Sequence, residues 1–262
     1  MQKILIYGNG KVAKILFQFL KKNFHVEAFT VDEKLIKQKY IEGLPLVGFE
    51  KIHKKFDTND YKMIIAVGYS QMNCIREQKY KEAKFKGYSF INYIHPSVEI
   101  HENVKIGKNN IILDHVAIQP YASIGNSNFL WSNSVIGHGS AIRDYNWIAS
   151  GAVISGDAIV KSKCFFGVNA SIGHNVTVEN ENFIGANTLI TKNTGKKNVF
   201  ISVTNNNTTT FLNLISKFTL KGEILSYGNY TDESKPLIII DLFNSIFGFL
   251  IHIFIFFSMP LI

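Results

Sequence analysis

The sequence predicts an α/β domain with a parallel sheet, followed by a parallel β-helix of about six coils. Three observations predict it. The first 90 residues alternate strand-like and helix-like runs, residues 94–190 carry an apolar side chain at every sixth position, and glycine often follows that apolar residue. A length of 262 residues suits two domains. With 46% hydrophobic and 18% charged residues, the composition excludes a disordered or collagen-like chain. Two cysteines, Cys74 and Cys164, share no metal-ligand spacing and build no disulfide scaffold, which points to a reducing cytoplasm. The start of the chain lacks the apolar stretch of a signal peptide. Residues 1–90 hold 17 Lys/Arg against 9 Asp/Glu and so carry the whole net charge of +8, while the remainder is balanced at 11 of each. A basic first third suits anionic ligands such as nucleotides. Without an Arg-rich run or aromatic–basic interleaving, no nucleic-acid partner is expected.

Residues 1–90 read as a Rossmann-like domain. Lys3 to Tyr7 is a short apolar strand, and Gly8-Asn9-Gly10 turns it into a helix with Val12, Ile15, Leu16, Phe19 and Leu20 on one face. His25 to Val31 forms the second strand, ending at Asp32. Tyr61 to Val67 forms another, closed by Gly68, and residues 72–86 are helical. Strand, crossover helix and strand is the pattern of a parallel sheet. Gly8-Asn9-Gly10-Lys11-Val12-Ala13 is a shortened dinucleotide fingerprint with alanine in place of the third glycine. A redox cofactor needs a partner domain for hydride transfer, and none is evident.

Residues 91–200 form the β-helix. From Ile94 to Ile190, seventeen successive sixth positions are Ile, Leu, Val or Phe without a miss. Two positions earlier stands a small or medium residue, as at Ala122, Ser134, Ala152 and Ala170. Helices need apolar residues every three to four positions and simple strands every two, so a period of six fits one short strand plus a turn. Three such faces close a triangular coil whose interior takes the aliphatic residue. Glycines such as Gly107, Gly125, Gly137 and Gly167 are expected to supply the corner dihedrals.

Residues 201–262 break the period. Asn205 to Thr210 is a polar linker, and residues 211–225 suit a short helix. Residues 245–262 are apolar enough for a marginal membrane span, a helix packed on the coils, or the product of an altered reading frame. The expected location is cytoplasmic, with membrane association through this tail.

A glycine-turn α/β domain, an Ile94-His95-Pro96-Ser97 junction, hexad coils and a mid-helix Ile136-Gly137-His138 step together resemble the hexapeptide-repeat sugar acetyltransferases of bacterial glycan biosynthesis. That family includes sialic-acid O-acetyltransferases and bacillosamine-pathway N-acetyltransferases. The similarity spans residues 1–200. It implies a left-handed parallel β-helix, acetyl-CoA as co-substrate, a nucleotide-sugar acceptor and a homotrimer with CoA between subunits. It makes His138 the general base, since an amine or hydroxyl attacking the CoA thioester must lose a proton and an imidazole is suited to take it. It makes the backbone N–H of Gly156, one coil beyond, the oxyanion donor.

Two positions depart from the family pattern. Gly139 stands where an acidic neighbour of the base is usual, so Asp144 or Asp157 is expected to orient His138, or a neighbouring subunit supplies the carboxylate. Trp147 stands where a second histidine is usual. Gly156, Gly167, Val168 and Ala186 are the candidate CoA contacts, with Lys192 and Lys196 near its phosphates. Gly8, Asn9, Gly10, Asp32 and Gly68 are the candidate nucleotide-sugar contacts. Arg76 either meets phosphate or covers the helix surface.

His95 reads as a structural residue of the junction. His174, in the column of His138, reads as a solvated turn residue or a contact to pantetheine. Metal is not expected, because no close histidine pair of the zinc-hydrase type stands out. The reading is an acetyl-CoA-dependent N- or O-acetyltransferase of a nucleotide-linked sugar. The alternatives are a β-helix scaffold that has lost its chemistry and a zinc-dependent hydrase.

Overall fold

The computed structural model describes residues 1–202 and, as backbone, the strands Leu237–Ser245 and Gly248–Phe256. The linker expected at 205–210 and the helix expected at 211–225 lie outside the described residues.

The N-terminal part builds a five-stranded sheet from β1 (Lys3–Tyr7), β2 (His25–Val31), β3 (Tyr40–Ile41), β4 (Leu44–Gly48) and β5 (Tyr61–Ile65), in the order β3-β4-β2-β1-β5. Helix α1 (Lys11–Leu20) buries Ala13, Leu16, Phe17 and Leu20. Of the face expected from periodicity, Leu16 and Leu20 are buried and Val12 and Phe19 half-buried, but Ile15 is 45% exposed, so the buried face is rotated toward Ala13 and Phe17. A short α2 (Ile52–Lys55) and α3 (Cys74–Phe85) complete this part. The sheet is mixed rather than parallel throughout. Strand β3 runs antiparallel to β4 because Glu42 and Gly43 both take positive φ, 50° and 80°, and close a two-residue hairpin.

Residues from Tyr93 onward wind into coils whose two-residue strands stack as three parallel sheets of seven, five and five strands. The first face starts at Tyr93–Ile94, the second at Ala117–Ile118 and the third at Lys105–Ile106. Their strands pair 18 residues apart, as in Phe129↔Trp147 and Val135↔Val153, except the last of the first face, Phe183↔Val199, at 16. The sixth-position aliphatics fill the interior, where Leu130, Ile136, Ile148, Ile154, Phe166 and Ile172 are fully buried. Ile100 departs from the reading. It is 40% exposed and outside any strand, because no strand of its face lies before Ala117–Ile118 to enclose it.

The corner glycines also play another part than expected. The left-handed position is two residues further along, where every sixth residue from Asn109 to Asn187 has positive φ and is mostly Asn, Asp, Tyr or another non-glycine residue. Gly137 and Gly167 are needed because a Cβ there would strike the backbone of the next coil at Gly156 and Ala186. The corners are further tied by asparagine ladders that the apolar period does not show. Asn110, Asn128 and Asn146 are buried and stack 18 residues apart, each Oδ1 accepting the backbone N–H of the next rung at 2.8–2.9 Å, ending on Cys164. Cys164 is buried, and desolvation pushes its thiol up to about 12, which makes it structural rather than reactive.

The outward residues of the first face, Ile111, Phe129 and Trp147, join one core with α1, β1 and β2. At the same boundary lies Arg76, fully buried on α3. Its guanidinium donates to the carbonyls of Ser127, Tyr145 and Asn146 in the coils, at 2.8–3.0 Å, and of Val67 and Gly68 after β5, at 3.3 Å. Burial lowers its pKa to about 9. Arg76 therefore neither covers the helix surface nor meets a phosphate. It bolts the sheet domain to the coils.

The tail is not helical where described. Leu237–Ser245 pairs antiparallel with Gly248–Phe256. Among the described residues no helix is long and apolar enough to cross a membrane.

Candidate active site

The coils place His138 at the corner after the second face, in one column with Pro120, Gly156 and His174. His138 is exposed. Its backbone N–H donates to Gln119 Oε1 at 2.9 Å, and its Nδ1 lies 3.3 Å from the same oxygen. With Nδ1 carrying the hydrogen, Gln119 accepts it and Nε2 keeps its lone pair for an incoming proton. Gln119 is a site residue that sequence reasoning missed. Its signal is its place in the hexad following Ile118, nineteen residues before the histidine.

The ring of His138 lies over Gly156. A Cβ at Gly156 would collide with Cε1 and Nε2, so the glycine makes room for the ring. The N–H of Gly156 donates to no group among the described residues, and the same holds for Val168 and Ala186. Each is free to bond a ligand.

The two candidate orienters differ. Asp144 sits at the corner after the third face, where its Oδ1 accepts from Asn126 N at 2.6 Å and Asn126 Nδ2 at 3.0 Å. It is a rung of a ladder and makes no contact with His138, so the expectation that it orients the base does not hold within the chain. Asp157 stands beside Gly139 instead, and its carboxylate occupies the space a side chain at 139 would take. It groups with His138 and His174 in one cluster. Trp147 lies on the first face, packed on Tyr69, Phe129 and Trp131 in the domain boundary, and does not face the His138 corner.

Gly167, Val168 and Ala186 are at the corner after the first face. Gly167 is buried, whereas Val168 and Ala186 are exposed. They and His138 therefore flank opposite edges of the second face. One chain does not bring them together. Lys192 and Lys196 are exposed beyond the last full coil.

The other candidates line the carboxyl ends of β1, β2 and β5. Gly8 has φ 137°, and a Cβ there would strike Ala66 O, so only glycine fits this turn between strand and α1. Gly10 and Gly68 face open space. Asn9 Nδ2 donates to Leu35 O at 3.3 Å. Asp32 is already engaged, accepting from Tyr7 Oη at 2.9 Å and pairing with Lys79 Nζ at 2.8 Å. Burial alone would raise the Asp32 pKa, but Lys79 and Tyr7 outweigh it and hold the carboxyl below its usual range. Lys79, also missed in the sequence, bridges onward to Glu82 at 2.8 Å. Its spacing of three from Glu82 on a helix is the available signal.

No protein-family profile and no curated protein matches the chain. Solved structures do. A mutant of perosamine N-acetyltransferase from Caulobacter crescentus, in complex with CoA and GDP-perosamine, is similar at a TM-score of 0.69 and 21% identity, over 75% of this chain and 92% of that one. The acetyltransferase domain of PglB from Neisseria gonorrhoeae is similar at 0.67 and 18%, over 76% and 96%. WeeI from Acinetobacter baumannii follows at 0.59 and 19%, over 75% and 94%. The chain shares the fold of these proteins: an α/β sheet domain carried on a β-helix.

Proposed function

We propose that the chain is an acetyl-CoA-dependent acetyltransferase that acts on an amino group of a nucleotide-linked sugar. One observation carries the reading. An exposed histidine, its Nδ1 3.3 Å from Gln119 Oε1, stands over a free backbone N–H in a fold whose solved examples include a protein holding both CoA and GDP-perosamine. The acceptor amine attacks the thioester carbonyl carbon, forming the C–N bond, and the C–S bond then breaks. Nε2 of His138 takes the proton from the amine and returns it to the departing CoA thiolate. The N–H of Gly156 stabilises the oxyanion of the tetrahedral intermediate. Because an amide rather than a carboxylate holds Nδ1, the imidazolium is stabilised less than in an acid-paired base. An amine tolerates this better than a hydroxyl, since it loses its proton late.

Residues 1–90 hold the nucleotide sugar in this reading, with Gly8, Asn9, Gly10 and Gly68 near the phosphates at the α1 end. Asp32 contributes through its pairing with Lys79. CoA lies along Gly167, Val168 and Ala186 of one subunit and reaches His138 of the next, in a homotrimer. The separation of these residues on opposite edges of the second face supports such sharing. So does the small, largely apolar outward row between them: Ala117, Val135, Val153, Ser171 and Leu189.

The test is a thiol-release assay with acetyl-CoA against UDP-, GDP-, dTDP- and CMP-linked sugars, with and without an amino group. Turnover with an amino sugar supports the proposal and names the nucleotide. Silence across the panel from a folded, CoA-binding protein overturns it.

A further inference from the structure

We infer that His138, Asp157 and His174 form a binding site for a divalent cation of the zinc type. The three residues come from successive coils at one corner, His138 and His174 from one column and Asp157 from the next, and one ligand atom from each lies within 4.8 Å of the others. The rings of His138 and His174 are 6.3 Å apart, and His174 Nε2 is 3.9 Å from Asp157 Oδ2. Two glycines open the space. Gly156 leaves the gap between the two rings, and Gly139 leaves room for the Asp157 carboxylate. Two imidazoles and one carboxylate are a zinc ligand set, with bonds of about 2.0–2.2 Å and a fourth position left for water. Tetrahedral ligands at those lengths sit about 3.3–3.5 Å apart, so modest side-chain rotation closes the set. All three side chains are exposed, and of their contacts only the 3.3 Å approach of His138 Nδ1 to Gln119 leads outside the set.

The 18-residue coil period already places His174 in the column of His138, and the structure adds Asp157 beside them. The set departs from the expectation that no close histidine pair of the zinc-hydrase type stands out.

A bound cation occupies an imidazole nitrogen of His138. On the function proposed above, and only on it, zinc is then an inhibitor that withholds the base from the amine.

The probe is zinc chloride titrated calorimetrically into the full chain, with no acetyl-CoA and no acceptor present. One ion per chain is expected. Asp157→Asn and His174→Ala are each expected to weaken binding by about tenfold or more, equivalent to about 1.4 kcal/mol. Circular dichroism establishes that each variant is folded, and His174→Gln serves as a second substitution at the same position. Absence of binding at millimolar zinc, or affinity unchanged in the folded variants, overturns the site. In the thiol-release assay, zinc is expected to slow the wild-type chain and to leave His174→Ala unaffected. A chain that binds zinc through these residues but transfers no acetyl group retains the metal site and loses the functional reading.

Discussion

The sheet domain and the coils bury their chains in opposite ways. In residues 3–85, large side chains of unequal shape interlock, with Phe17 and Phe29 on one side of the sheet and Phe49, Phe56 and Tyr80 on the other. Each occupies a place nothing else repeats. In the coils one aliphatic per hexad enters a narrow interior, and the backbone of each coil bonds the next at the same register. Removing one rung there should leave neighbours above and below intact. Where the two regimes meet, stability depends on singular residues. Arg76 satisfies five carbonyls from both sides, and Asn109 links them again, its Oδ1 accepting Ile65 N–H at 2.7 Å.

The largest effect is therefore expected at the boundary. Arg76→Ala removes the guanidinium from all five carbonyls, of which Asn146 O keeps the Phe129 N–H, and should cost about 3–5 kcal/mol, read as a lower denaturation midpoint. Arg76→Lys should recover only part of this, because an ammonium has three donors and no planar fork. A loss below 1 kcal/mol, about one ordinary hydrogen bond, would show that the aromatic boundary alone holds the two parts together.

A single coil rung should matter less. Asn128→Ala removes the acceptor of Asn146 N–H and the Nδ2 donor to Asn110 Oδ1, while the backbone N–H of residue 128 keeps its bond to Asn110, and about 1–3 kcal/mol is expected. Hydrogen exchange should rise at the two adjacent coils and stay unchanged further along. Exchange spreading through every coil would contradict the local character claimed for this half.

The smallest effect concerns acid. Asp32 is held below its ordinary pKa by Lys79 and Tyr7, so it contributes stability above the unfolded carboxylate value of about 3.9. That contribution is lost as pH falls through the lower folded value. Between neutral pH and about pH 4 Asp32→Asn should therefore be less stable than the parent, and the difference should vanish in stronger acid. A difference that persists there would assign the effect to packing.

How much of this was legible follows from the same contrast. A period of six marked the interior column from Ile106 to Ile190, because each coil repeats one steric demand. The strands at Lys3 and His25 and the presence of α1 were readable for the ordinary reason of local periodicity, but the α1 face was not, since Ala13 and Phe17 are buried and Ile15 is exposed. What escaped depends on contacts between distant residues. Arg76 looks like any helix-surface arginine until Ser127 and Tyr145 are folded against it. Gln119 becomes the partner of His138 only across a coil. Asp144 and Asp157 are equally plausible as sequence, and the ladder captures one while the corner exposes the other. The four outward aromatics Phe129, Trp147, Phe165 and Phe183 recur every 18 residues, a period that the search for six conceals.

On the proposed function the His138 corner performs proton transfer in acetyl transfer, and the decisive comparison is kcat of His138→Ala against the parent chain, with acetyl-CoA and the amino-sugar nucleotide that turns over best. A fall of about 10²–10⁴ with fold, assembly and CoA binding unchanged is the predicted result. Full turnover by the folded variant would contradict it.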